Sequence, residues 1–214
     1  MPLSIVIMPA HWAHHDRLLP LARSVAVHHE LGNMFPEITL AIDDLAADER
    51  SWLSLGDGAS LTLYCHEDLF LRDSAASLAM RPPSLPWELG EKRDASPEPS
   101  ASFSVRKTER YLHHQFLAVR DLLGGIVRPG DVPVGFAEAY QEAWAVTVDG
   151  RLRRGALPGH PVAERRRRFF RTFSATGMLL PQHWDIFHTL WDCNTPNHEL
   201  LLELAAALPG LASR

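Results

Sequence analysis

Residues 106–125 read RKTERYLHHQFLAVRDLLGG, and this stretch has the clearest helical pattern in the chain. At about 100° per residue, its apolar positions form one stripe on a helix. The stripe consists of Leu112, Phe116, Val119 and Leu123. Arg110, His114 and Asp121 fall on the opposite side, and the terminal glycine pair is a usual helix stop. The pattern predicts a helix from Arg106 to Gly124, with the stripe in the core and His114 pointing away from it.

The two adjacent histidines make this helix the first candidate for a functional site. Imidazole is the commonest metal ligand and a natural acid or base near neutral pH. Glu109 precedes His113 by one helical turn, so these two side chains could converge, although a solvated ion pair is the alternative. His114 and Asp121 are two turns apart, about 10.5 Å along the axis, which is too far for direct chelation from a straight helix.

The chain has 46% hydrophobic and 22% charged residues, which is the composition of an ordinary globular protein. Its length favours a single domain that spans residues 1–214. Proline, serine and charge are concentrated at about 81–100, which predicts a mobile loop there. The sequence has no apolar run of membrane-spanning length, and its first residues lack the pattern of a signal peptide. A cytoplasmic protein without a membrane partner is expected. Cys65 and Cys193 stand in no zinc-type spacing.

Short apolar runs in the first third of the chain predict strands at 3–8, 38–42 and 60–65, with a helix at 16–31. Residues 43–58 are interpreted as a connection whose middle forms a helical turn. Amphipathic patterns predict later helices at 133–148, 162–173, 183–191 and 197–208, and Asp149-Gly150 predicts a turn after the first of these. The predicted class is α+β: a small mixed sheet in the N-terminal half packed against helices, followed by a helical C-terminal half.

The helix predicted at 133–148 has an acidic side. Glu138, Glu142 and Asp149 fall within a sector of roughly 40°, opposite the apolar residues. If this helix packs antiparallel to the central helix, Glu138 or Glu142 could approach His114 and share a divalent metal with it. The alternative is that the acidic face contacts water. The candidate metal ligands are therefore His113, His114, Glu138 and Glu142.

The order of these elements resembles that of the zincin metallopeptidases, in which a strand, a helix and further strands precede a histidine-bearing helix and a glutamate-bearing helix. The first of those two helices carries His-Glu-x-x-His in zincins, where the histidines hold zinc and the glutamate activates water. Aligned on its first histidine, this chain reads His114-Gln115-Phe116-Leu117-Ala118. Gln115 cannot act as the general base, and Ala118 cannot bind a metal. The resemblance implies a zincin-like domain that lacks standard peptidase activity, with zinc or another divalent metal as its expected cofactor.

Any remaining activity would be that of a metal-dependent hydrolase, since a bound metal polarises a carbonyl and lowers the pKa of its water. A carboxylate other than the missing glutamate would then have to accept the proton. Glu109 and Glu142 are the candidate catalytic residues for this step.

The alternative function is that of a non-catalytic interaction protein. Its candidate surfaces are the arginine-rich helix 162–173 and the loop 81–100. On that helix, Val162, Phe169 and Phe173 are predicted to face inward, and Arg167, Arg168 and Arg171 outward. Exposed arginines would fit an acidic protein partner, whereas the net charge of −5 disfavours general nucleic-acid binding.

Overall fold

The computed structural model describes residues 3–43, 51–56, 60–72, 102–173 and 180–207, and the loop predicted at 81–100 lies outside these ranges. The strands are β1 (Ser4–Met8), β2 (Glu37–Ile42), β3 (Ser51–Gly56) and β4 (Ser60–Cys65). The helices are α1 (His15–His28), α2 (Val105–Leu123), α3 (Ala137–Arg154), α4 (Val162–Phe173), α5 (Pro181–Asp192) and α6 (His198–Ala206).

The four strands form one sheet in the order β1-β2-β4-β3. β1, β2 and β4 are parallel, and β3 runs antiparallel to β4. Alternate residues of β1 and β4 are buried because successive side chains of a strand point to opposite faces. The apolar side chains of β1, β2 and β4 pack together with those of α1 and α2. The predicted α+β class, with a small mixed sheet in the N-terminal half and a helical C-terminal half, is confirmed.

Strand β3 corrects the interpretation of residues 43–58 as a connection with a helical turn. It pairs with β4 from Ser51 opposite Cys65 to Gly56 opposite Ser60. The segment SWLSLG has no regular alternation of polar and apolar residues and gains its ladder hydrogen bonds from β4, so tertiary pairing decides its structure.

Helix α2 lies between two hydrophobic cores. Ser104 caps its N-terminus by accepting a hydrogen bond from the backbone N–H of Lys107 at 3.3 Å. Leu112, Phe116 and Val119 are fully buried in the core of the sheet half, as predicted. Leu123 was wrongly assigned to this stripe, since it is 44% exposed at the last turn. The other side of α2 is also covered, because α2 packs against α3 there.

Helix α3 corrects the turn predicted at Asp149-Gly150, because it continues to Arg154. A glycine within a helix costs stability relative to alanine, which is why the sequence pattern favours a break. Here Gly150 is fully packed: a β-carbon at this position would lie 2.9 Å from the carbonyl carbon of Trp191 in α5. The close packing of α3 on α5 therefore requires a residue without a side chain at position 150.

The second core joins α3 to the last three helices, whose predicted positions agree with the structure to within two residues. It contains a group of aromatic rings, in which Phe169 contacts Phe173 in a tilted arrangement at a centroid separation of 4.4 Å and Phe187 edge-on at 5.5 Å. Val162 was wrongly predicted to face inward and is 38% exposed. Among the helices of the described ranges, none has both the length and the apolar character that a membrane crossing requires.

Candidate metal centre

Asp149 is the centre of a buried polar group between α2, α3 and α4. Its side chain is fully buried. Oδ1 accepts hydrogen bonds from Nδ1 of His114 and from the backbone N–H of His160, both at 3.0 Å. Oδ2 accepts a hydrogen bond from Nε of Arg165 at 2.6 Å. Burial alone would raise the pKa of Asp149, but His114 and Arg165 outweigh it and hold the pKa well below its ordinary value. The carboxylate is therefore charged at neutral pH.

His114 reaches this carboxylate from the neighbouring helix. It lies on the face of α2 that packs against α3, and its side chain is 13% exposed. A carboxylate oxygen can only accept, so Nδ1 of His114 carries the proton in this hydrogen bond. The ring of His160 stands nearly perpendicular to that of His114, with centroids 5.4 Å apart.

His160 belongs to the connection between α3 and α4. Gly159 allows the close approach of this connection, since a β-carbon there would lie 3.2 Å from Cβ of Leu152 and 3.4 Å from Oδ1 of Asp149. Within the described residues, Nδ1 of His160 is buried and makes no hydrogen bond, although Oε1 of Glu164 lies 3.5 Å away. Burial lowers the pKa of His160 to about 3, despite the opposing charge of Asp149. The ring is therefore neutral near pH 7.

Arg165 supplies the positive charge that balances this region. Its side chain is 3% exposed and contacts both Asp149 and Glu142. The guanidinium lies 3.3 and 3.4 Å from the two oxygens of Glu142. Burial raises the pKa of Glu142, and the charge of Arg165 offsets part of that effect. Glu142 is thus a partner of Arg165 rather than a solvated residue of an acidic face.

His114, Asp149 and His160 form a group that could hold a metal ion. One ligand atom from each lies within 4.8 Å of the other two. The three residues come from α2, α3 and the α3–α4 connection, so the packing of the helices positions all of them. Two imidazole nitrogens and a carboxylate oxygen are donors of the kinds that Zn²⁺ takes in proteins.

The structure places the sequence-predicted site residues in different surroundings. His114 is in the group, and Glu142 lies at its edge through Arg165. His113 faces α1, where its Nδ1 lies 3.0 Å from Nε2 of His29. Glu138 is exposed in the first turn of α3, and Glu109 is partly exposed outside the group. The packing of α2 between two layers explains the separation of His113 from His114.

Sequence reasoning missed Asp149 and His160 as members of the group. Asp149 was predicted to lie on the acidic face of its helix but was not named as a ligand, and the structure buries it fully between helices. His160 lies in an irregular connection, where no periodicity indicates burial. The available signal was Gly159-His160-Pro161 directly before the arginine-rich helix.

The arginine-rich helix is divided between internal and surface roles. Arg165 is in the buried group, and Arg166 lies over the ring of Trp184 with its Cζ 5.1 Å from the centroid. Arg167 and Arg171 are exposed, as is Arg168, which faces Glu164 at 3.8 Å. The outward orientation of these last three is as predicted. Part of the basic run therefore has a structural partner and does not face solvent.

The buried pair of His29 and His113 gives a testable pH dependence. Burial and the neighbouring His113, His28 and Arg120 lower the pKa of His29 to about 3. The unfolded chain therefore binds a proton at this residue below about pH 6.5 that the folded protein does not bind. The free energy of unfolding should fall by up to about 1.4 kcal/mol per pH unit between pH 6 and pH 4 from His29 alone.

Urea unfolding of the wild type and of His29→Phe at pH 6, 5 and 4 measures this contribution. The wild-type free energy of unfolding should decrease more steeply on acidification than that of the variant. Equal slopes would mean that His29 is not held neutral by its surroundings. The exposed His11 offers a matched control, since His11→Phe should leave the slope unchanged.

No family model matches this chain, and neither the curated proteins nor the solved structures contain a match to it.

Proposed function

We propose that this protein is a zincin-like, metal-binding domain that holds a divalent cation, with zinc preferred, at His114, Asp149 and His160, and that it lacks standard peptidase activity. The observation that carries the proposal is the convergence of three ligand-type side chains within 4.8 Å at a site between helices. Side chains that merely cap or solvate helix ends do not require such a convergence from three separate segments.

The state of His160 supports coordination. A buried nitrogen without a well-formed hydrogen bond costs free energy, and the carboxylate of Glu164 at 3.5 Å from Nδ1 repays only part of that cost. A neutral imidazole offers a lone pair at that nitrogen, and a cation would satisfy it. Asp149 and His114 share a proton-mediated contact, since Nδ1 of His114 donates a hydrogen bond to the carboxylate. A cation held by both residues would replace that proton, so metal binding should release a proton.

Arg165 limits the affinity of this site. Its guanidinium already compensates the charge of Asp149 at 2.6 Å, so a cation at the same carboxylate would be bound against a fixed positive charge. We therefore expect weaker zinc binding than in a site of the same three ligands without an arginine. Removal of this arginine also removes the charge that stabilises the buried carboxylates, as discussed below.

The surroundings of the group oppose standard peptide hydrolysis. Hydrolysis needs a carboxylate that can accept a proton from the attacking water. Gln115 occupies the position of that residue in the zincin motif, Glu109 lies outside the group, and Glu142 is engaged by Arg165. The zincin-like part of the proposal is supported by the order of elements: β1 to β4 precede α2 with His114, and α3 with Asp149 follows.

Metal analysis of protein purified without a histidine tag tests the proposal. We expect one zinc per chain at saturating zinc, a lower melting temperature after chelation, and recovery when zinc is added back. His160→Ala should abolish the zinc-dependent recovery. It should change the metal-free stability little, because the hydrogen bond to Asp149 comes from the backbone N–H of residue 160.

His15→Ala is the matched control, since His15 lies at the start of α1 outside the group. It should keep the full response to zinc. A wild type that contains no metal and is not stabilised by zinc, cobalt or manganese would contradict metal binding. An equal zinc response in His160→Ala and the wild type would place the metal elsewhere.

A further inference from the structure

A second concave site lies at the C-terminal end of α2, apart from the group around His114. Its cavity has a volume of about 720 Å³ and is bounded by α2, the end of β3, residues 34–35 and the start of the segment after α2. This volume is in the range of pockets that bind small molecules, about 300–1,000 Å³. None of its lining residues belongs to the His114, Asp149 and His160 group.

Most of the cavity wall is apolar. The apolar lining residues are Met34, Phe35, Leu55, Leu117, Leu123 and Ile126. Three of them are among the exposed large hydrophobic residues of the protein: Met34 at 38%, Leu55 at 42% and Leu123 at 44% exposure. Single exposed apolar residues are ordinary, but their convergence on one concave surface is typical of a ligand site.

One wall of the cavity is polar and carries an available positive charge. Asp121 is buried and accepts hydrogen bonds from two terminal nitrogens of Arg151 and from Nε1 of Trp144. The carboxylate of Asp121 thus balances the positive charge of Arg151. Arg120 has a 40% exposed side chain, and its ion pair with Glu30 is long, at 3.8 Å, and solvated. Such a surface pair is weak, so Arg120 can exchange Glu30 for another anion at little cost.

We infer that this cavity binds a free aliphatic monocarboxylate, with the alkyl chain on the wall formed by Met34, Leu55 and Leu123 and the carboxylate on Arg120. One available guanidinium matches one carboxylate, which it can hold through two parallel hydrogen bonds. Among the described residues that line the cavity, Arg151 is held by Asp121, so these residues offer no second available cation for a dianionic head group. The apolar area supplies the affinity, and Arg120 selects the charged head group.

Isothermal titration with decanoate, below its micellar concentration, tests this inference, with decan-1-ol as the uncharged comparison. The wild type should bind one decanoate per chain and bind the alcohol at least tenfold more weakly. Arg120→Gln should weaken decanoate binding by about tenfold and leave binding of the alcohol unchanged. Leu55→Asp should abolish binding of both, because it places a charge on the alkyl wall.

Arg167→Gln is the control, since it removes an exposed arginine outside the cavity and should keep the wild-type affinity for decanoate. Both Arg120 and Leu55 are substantially exposed, so melting temperatures near that of the wild type should confirm that the variants fold. Absence of decanoate binding to the wild type would overturn the inference. Equal decanoate affinity in Arg120→Gln and the wild type would overturn it as well, because the head group would then not be recognised by Arg120.

Discussion

Replacing Arg165 with methionine should destabilise the metal-free protein by about 3–5 kcal/mol, because it removes the arginine that pairs with the buried Asp149 and the partly buried Glu142. Asp149 is fully buried, and Glu142 is 15% exposed. Methionine has a similar length and fills much of the volume, so the loss should come from electrostatics rather than from a cavity. Urea unfolding at pH 7 in the presence of chelator measures it.

The matched control is Arg167→Met, since Arg167 lies on the exposed side of the same helix, α4. It removes the same charge from the same helix and should change the free energy of unfolding by less than about 0.5 kcal/mol. A similar loss in both variants would mean that α4 depends on its net charge or helix propensity, and not on the ion pairs of Arg165.

The effect of Arg165→Met should also depend on pH. The folded-state pKa of Asp149 lies below its ordinary value of 3.8, so its paired carboxylate stabilises the fold above about pH 4 and this contribution is lost as pH falls further. Without Arg165, Asp149 and Glu142 can lower their cost by taking up protons. The difference between variant and wild type should therefore shrink toward pH 4, whereas a packing defect would give a difference independent of pH.

A double substitution measures the interaction between Arg165 and Asp149 apart from the effect of losing either charge alone. Arg165→Met combined with Asp149→Asn should lose less than the sum of the two single losses, because the second change removes the charge that the first leaves uncompensated. Additive losses would show that the two side chains act independently, which would contradict their 2.6 Å contact.

Sequence patterns predicted the helices and strands whose buried residues recur at a regular spacing. They missed side chains that are buried because a second element packs on the polar face of their helix. Leu112, Phe116 and Val119 repeat at helical spacing, and all three are fully buried. Asp149 was predicted only to share the acidic face opposite the apolar stripe of α3, and Glu138 and Glu142 were the ligands chosen from that face. A single apolar stripe indicates one buried face, whereas α3 contacts α2, α4, α5 and α6.

The candidate site shows the same limit. His114 could be selected from its position on α2, because a helix pattern fixes the direction of every side chain on it. Its partners could not, since Asp149 depends on how α3 packs and His160 on the path of an irregular connection. Strand β3 depends likewise on its pairing with β4. In each case a contact between distant segments decides the structure, and local sequence patterns do not record such contacts.

Gly150→Ala should destabilise the protein by about 3 kcal/mol, although alanine is the better residue for the interior of a helix. By helix propensity alone, the change would add about 1 kcal/mol of stability. The added β-carbon would overlap the carbonyl oxygen of Trp191 and lie 3.2 Å from its Cα. These are backbone atoms of α5, so no side-chain rotation relieves the overlap, and α3 and α5 must separate.

That separation would also disturb a second contact between the same helices. Arg154, one turn after Gly150, donates hydrogen bonds to the carbonyl of Trp191 and, at 2.7 Å, to the carbonyl of Cys193. Its Nε donates to the side chain of Asn194 at 2.7 Å. Carbonyls at a helix C-terminus lack partners within the helix, so Arg154 satisfies the end of α5 from α3. Moving α5 away would weaken this cap.

Gly155→Ala on the same helix provides the comparison. Gly155 has a negative φ of −76°. A β-carbon added there would lie 3.4 Å from the carbonyl oxygen of Arg151, which is an ordinary contact, so alanine fits. Chemical unfolding should show a change within about 0.5 kcal/mol for Gly155→Ala and the full loss for Gly150→Ala. If Gly150→Ala is as stable as the wild type, α3 and α5 do not pack this closely. The hydrogen bonds of Arg154 to the end of α5 would then be contradicted as well.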